Sequence, residues 1–74
     1  MRINLTILPE TSLLHLFDLF AKMENEILAM QVVKELAKRN HLRIDDQLRK
    51  LGQRANRRDN VISFQMVTDL WKAR

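Results

Sequence analysis

The stretch LLHLFDLFAKMENEILAMQVVKELAKR, residues 13–39, contains neither proline nor glycine and repeats its apolar residues at helical spacing. Leu13, Leu16, Phe17, Phe20 and Met23 fall three and four apart, which places them on one stripe of a helix. Beyond Met23-Glu24-Asn25-Glu26 the stripe resumes with Ile27, Met30, Val32 or Val33, Leu36 and Ala37. Leu14, Leu19 and Leu28 lie beside it, so the apolar surface is wider than one packed neighbour covers. One long helix or two helices broken near Glu24–Asn25 both satisfy the pattern. Two antiparallel helices are the preferred expectation, because they give so broad a face neighbours on two sides.

The chain reads outward from there in both directions. INLTIL (3–8) alternates apolar and polar residues, which suggests a short strand or an extended lead-in, and Pro9 ends it. Thr11 or Ser12 is the expected N-cap of the first helix, since a short hydroxyl satisfies free backbone amides there. Residues 1–10 are therefore set apart as an extended N-terminal segment, able to pair across a dimer, and 11–74 as the helical domain. KRNH (38–41) reads as a helix end, with cations at the negative pole and Asn40 suited to a left-handed cap. Asp45 or Asp46 is the expected cap of a further helix with Leu48, Leu51 and Ala55 inward. Gly52 inside it weakens the helix by about 1 kcal/mol relative to alanine or marks a close helix crossing. RRDN (57–60) makes the next turn. A last helix, from Val61 or Ser63 to Ala73, turns Ile62 or Phe64, Val67, Leu70 and Trp71 inward. The expected fold class is all-α: a small bundle of three to four helices, built as two helical hairpins, without an internal repeat visible in the sequence.

Composition bounds the function. At 74 residues the chain forms one domain, and it carries no cysteine, so neither a disulfide nor a thiolate metal site can reinforce it. Good helix packing, self-association or docking to a partner must do so instead. The apolar runs are too short to span a bilayer and no signal-peptide pattern opens the chain, which leads to the expectation of an intracellular protein. His15 and His41 lie in different elements, and the sequence has no paired metal-ligand spacing, although His15 and Asp18 are placed to share a helix face. A single glycine rules out a glycine-rich phosphate loop, and Ser63 and Thr68 have no base near them in sequence. No catalytic residue, metal, cofactor or small-molecule substrate is expected.

The net charge of +4 conceals a split. Residues 1–37 hold three cations and five acids, whereas residues 38–74 hold ten cations and four acids. RKLGQRANRRDN (49–60) concentrates five of those cations. Arg43, Arg49, Lys50, Arg54, Arg57 and Arg58 are the candidate nucleic-acid contacts, because a cationic row neutralises phosphates and releases counterions. Gln53 and Asn56 stand where base edges would be read. Residues 41–71 also lie on a ribbon–helix–helix layout, with HLRID as the strand. Against this stand the acids Asp45, Asp46 and Asp59 and the absence of aromatic residues within the basic stretch. The competing reading is a protein-binding surface. Its candidate residues, for a partner or a dimer, are Leu13, Leu16, Phe17, Phe20, Met23, Met30 and Trp71, methionines being adaptable contacts.

Two segments carry a family resemblance: LLHLFDLFAKMENEILAMQVVKEL and RKLGQRANRRDNVISFQMVTDL. Together they make residues 13–71 resemble the C-terminal helical domain of the chromosome-transmission-fidelity/acidic nucleoplasmic DNA-binding replisome adaptors. The resemblance implies an all-helical bundle that sits beside a β-propeller in a homotrimer and binds short helical peptides of replication factors. This chain has no propeller, so the resemblance implies a fragment, and a nuclear one; apart from the resemblance the expected compartment is the cytoplasm. The reading preferred from the sequence is a non-catalytic adaptor module for partner helices in DNA-replication machinery. The alternative is a small dimeric DNA-binding regulator, ribbon–helix–helix-like or basic-helix, that uses residues 43–58.

Overall fold

Among the described residues, three other than glycine take left-handed backbone, Glu24 at φ 54°, His41 at φ 54° and Asp59 at φ 53°, and each closes a helix. In the computed structural model, which describes residues 4–73, they separate α1 (Glu10–Lys22), α2 (Glu26–Arg39), α3 (Ile44–Arg57) and α4 (Val61–Lys72). All three ends are Schellman turns, in which the amide two residues past the cap reaches back to the last turn. The amide of Asn25 donates to the Phe20 carbonyl at 3.0 Å, that of Leu42 to Ala37 at 2.8 Å, and that of Asn60 to Ala55 at 2.9 Å.

Two of these turns do double duty. The Asn25 side chain accepts the Leu28 amide, and the Asn60 side chain accepts the Ser63 amide. One asparagine thus completes the end of one helix and caps the start of the next, which forces a tight reversal. The stretch 13–39 is accordingly two helices, broken at Glu24–Asn25. The same turn recurs as Met23-Glu24-Asn25 and Arg58-Asp59-Asn60, so the chain is two helical hairpins with one hinge chemistry.

The helix starts differ from the expected ones. α1 begins after Pro9, whose ring fixes φ at −68° and whose carbonyl accepts the Leu13 amide at 3.1 Å. Thr11 and Ser12 therefore lie inside the first turn and do not cap it. α3 begins after Arg43, leaving Asp45 and Asp46 in the first turn, where carboxylates meet the positive end of the helix dipole. At the end of α2 the left-handed residue is His41; Asn40 stays at φ −90° and donates instead to the Gln47 side chain at 3.1 Å. In the expected extended segment, residues 1–3 lie outside the described residues and Leu5–Ile7 form a 3-10 turn. Arg39 holds that turn against α2 by donating to the carbonyls of Leu5 (2.7 Å) and Thr6 (3.0 Å).

Each hairpin packs within itself, and α1 against α4 and α2 against α3 join the two. Leu13, Phe17, Ala29, Val32, Val33, Leu36 and Leu48 are buried where the helices meet. The radius of gyration is 11.1 Å, matching the roughly 11 Å expected for a compact chain of this length. No strand occurs among the described residues, and HLRID splits between the α2–α3 connection and the first turn of α3. The ribbon of a ribbon–helix–helix layout is therefore missing from the place assigned to it, because Ile44 and Asp45 are already helical. Among the described residues no helix is long and apolar enough to cross a membrane.

Candidate binding groove

α3 sorts its cations by the helical period. Leu48, Leu51, Gly52 and Ala55 turn inward, so the opposite side carries Arg49, Lys50, Gln53 and Arg57, all exposed. Arg43 and Arg58, the residues capping the helix, are exposed as well. Arg54 parts from this row. It lies at the edge facing α1 and makes a two-pronged contact with Asp18, 3.2 Å from each carboxylate oxygen. The Ser63 hydroxyl donates to the same carboxylate at 2.9 Å, and the Asn60 side chain approaches it at 3.5 Å. The expected His15–Asp18 pair is thereby superseded: His15 is exposed and Asp18 faces inward to α3 and α4. Ser63 is 2% exposed, so its hydroxyl is a structural donor. Of the candidate nucleic-acid contacts, Arg43, Arg49, Lys50, Arg57 and Arg58 face solvent while Arg54 joins helices.

The candidate partner surface divides too. Leu13, Phe17 and Phe20 are core residues, and Leu16 and Met30 are half-buried against that core. Met23 and Trp71 reach the surface. The stripe that drew attention to residues 13–23 is thus mostly consumed by the chain's own packing.

Among the described residues, α4 carries four of the eight large apolar side chains left exposed, and Ile7, Leu19, Met23 and Ile27 are the others. Ser63, Met66, Val67 and Leu70 fill the inward side of α4, which leaves Val61, Ile62, Phe64 and Trp71 outside. Ile62, Phe64 and Trp71 are all exposed, contrary to expectation; the inward register belongs to Ser63, whose hydroxyl reaches Asp18. Phe64 is 48% and Trp71 39% exposed, seven residues and so two turns apart on one side. Seven apolar residues between Val61 and Trp71 exceed what one buried face holds, and that excess is the signal in the sequence that points to α4.

Phe64 and Trp71 help wall a groove of about 260 Å³ between α3 and α4, whereas Val61 and Ile62 lie outside it. Its floor is Leu48, Gly52 and Val67; Phe64, Thr68 and Trp71 form one wall, and Arg49, Gln53 and Asn56 the other. A second depression of about 130 Å³, sharing Asn56 and Phe64, continues it toward Asp59 and the α3–α4 turn. On the opposite side of α4 lies a larger and more enclosed hollow of about 530 Å³, which Glu24, Glu26 and Asp69 make acidic. No group of side chains among the described residues could hold a metal ion. No protein-family model, curated protein or solved structure matches this chain.

Proposed function

We propose that this chain is a non-catalytic protein-interaction module that receives a partner helix in the groove between α3 and α4. The observation that carries the reading is the pair Phe64 and Trp71, two large aromatic side chains left substantially exposed on a helix whose inward face is already filled. Aromatic anchors beside an apolar floor are the feature that binding hot spots share. A groove between two helices accepts the apolar face of a third. The resemblance of residues 13–71 to the helical domain of replisome adaptors supports the same role, and would set it in the DNA-replication machinery of the nucleus.

The test is a titration of isotope-labelled chain with amphipathic helical peptides, followed by amide chemical shifts. Saturable changes concentrated on residues 48–56 and 61–71 are expected. Changes absent at every peptide, or spread evenly over the chain, would overturn the reading.

A further inference from the structure

We infer that the groove selects an acidic amphipathic helix, with leucine-sized side chains on one face and carboxylates flanking them. The inference rests on the module reading and adds the sign of the partner's charge.

The groove is unequal in its two walls. The α4 wall and the floor are apolar, and the cations stand on and behind the α3 wall. Arg49 lines it, Lys50 and Arg57 follow on the solvent side of the same helix, and Lys72 is exposed one residue beyond Trp71. A helix lying over Phe64 and Trp71 therefore has cations along its α3 side and at one end. Carboxylates on that side would gain, and ammonium groups would meet like charge in a partly desolvated setting. The far end is mixed, because Asp59 lines the second depression and stands directly after the exposed Arg57 and Arg58. The partner's carboxylates accordingly belong at the Arg49–Trp71 end.

Size agrees with a short peptide. Val61 and Trp71 are ten residues apart, roughly 15 Å at 1.5 Å per residue, which is about three turns of a docked helix. The same surface suits duplex DNA less well. Arg54, in the middle of the cationic sequence, is turned away to Asp18. Asp46 interrupts the remaining row between Arg43 and Arg49, Asp59 follows Arg58, and the groove floor is apolar.

Trp71 is the sole tryptophan of the chain, so its emission reports the groove without a label. Two peptides of about 16 residues, long enough to hold helical structure, would share leucines at alternating three- and four-residue spacing and differ only in carrying Glu or Lys elsewhere. The Glu peptide is expected to shift Trp71 emission saturably and to bind at least about tenfold more tightly than the Lys peptide, with the preference shrinking as salt rises. Arg49→Glu should remove that preference. Phe64→Ala should weaken both peptides. Both variants change exposed residues, and unchanged far-ultraviolet circular dichroism checks that each is folded.

Equal or tighter binding of the Lys peptide would overturn the charge inference and leave the interaction module standing. A shift produced by duplex DNA and by neither peptide would overturn both and favour the regulator that uses residues 43–58. A Trp71 shift that grows with the chain's own concentration would assign the groove to a second copy and overturn the partner-helix occupant. Silence with every probe would overturn both readings.

Discussion

Asp18 and Arg54, 36 residues apart in sequence, meet through both oxygens of the carboxylate and both terminal nitrogens of the guanidinium, each contact 3.2 Å long. Their side chains are 19% and 19% exposed, so the pair is largely withdrawn from water. It fastens α1 to α3, and Ser63 brings α4 to the same carboxylate. Asp18→Ala would leave the guanidinium and the buried Ser63 hydroxyl short of an acceptor, and loses stability by about 2–3 kcal/mol. Arg54→Ala loses a similar amount. In urea denaturation the double variant should be much less damaging than the sum, since each single change strands the other partner. Additive losses would mean that the contact contributes nothing of its own. Arg54→Lys should behave more like Arg54→Ala than like the parent, because an ammonium cannot reproduce the fork.

The left-handed residues offer an opposite prediction. Glu24, His41 and Asp59 are exposed and hold positive φ where glycine would rest without strain. Left-handed backbone costs a residue with a side chain about 1 kcal/mol. Glu24→Gly is therefore expected to stabilise the chain by up to about that amount, read as a rise in the denaturation midpoint. Asp59→Gly and His41→Gly should gain less, since aspartate and histidine tolerate this region better than glutamate does. A larger gain at Asp59 than at Glu24 would overturn the strain argument.

Asn25 and Asn60 make the same cap but not the same environment. Both accept the amide three residues on, at 3.1 and 3.2 Å. Asn60 additionally points its amide nitrogen at Asp18, at 3.5 Å. Asn25→Ala should cost about 1 kcal/mol, the usual value of a side-chain cap. Asn60→Ala should cost more in the parent, and the excess should vanish in an Asp18→Ala background. Equal losses at the two positions, with no dependence on Asp18, would show the longer contact to be idle.

The sequence was most informative where structure is local. The three- and four-residue spacing of 13–39 and 44–57 marks the helices because burial of one face needs no knowledge of the partner. The turn at Glu24–Asn25 was visible only as one of two alternatives. Its recurrence as Glu-Asn and Asp-Asn, each followed two residues later by isoleucine, is a repeat that the sequence does display once the turn geometry is known. Legibility ended at long range. Nothing near Arg54 distinguishes it from Arg57 or Lys50, so its withdrawal to Asp18 depends on how α1 and α3 cross. Phe64 and Ser63 were misread for the same reason. Hydrophobicity alone turns Phe64 inward, but the Asp18 carboxylate draws Ser63 to that side and rotates the aromatic ring's position out to the groove.

Gly52 brings stability and binding into one experiment. It is buried in the interior of α3, and a Cβ placed there would stand 3.5 Å from Val67 Cγ1, an ordinary van der Waals contact. The glycine therefore does not mark a crossing that only glycine allows. Gly52→Ala should raise stability by up to about 1 kcal/mol, because alanine loses less backbone entropy on entering a helix. The added methyl also stands on the groove floor beneath Phe64 and Trp71. If a partner's apolar side chain seats there, the stabilised variant should bind the acidic helical peptide more weakly than the parent does. A chain that is more stable and binds unchanged would keep the folding argument and move the seat along the groove toward Asn56 and Asp59. A chain that is less stable would show that Val67 cannot accept the contact, and would make the glycine a requirement of the α3–α4 packing after all.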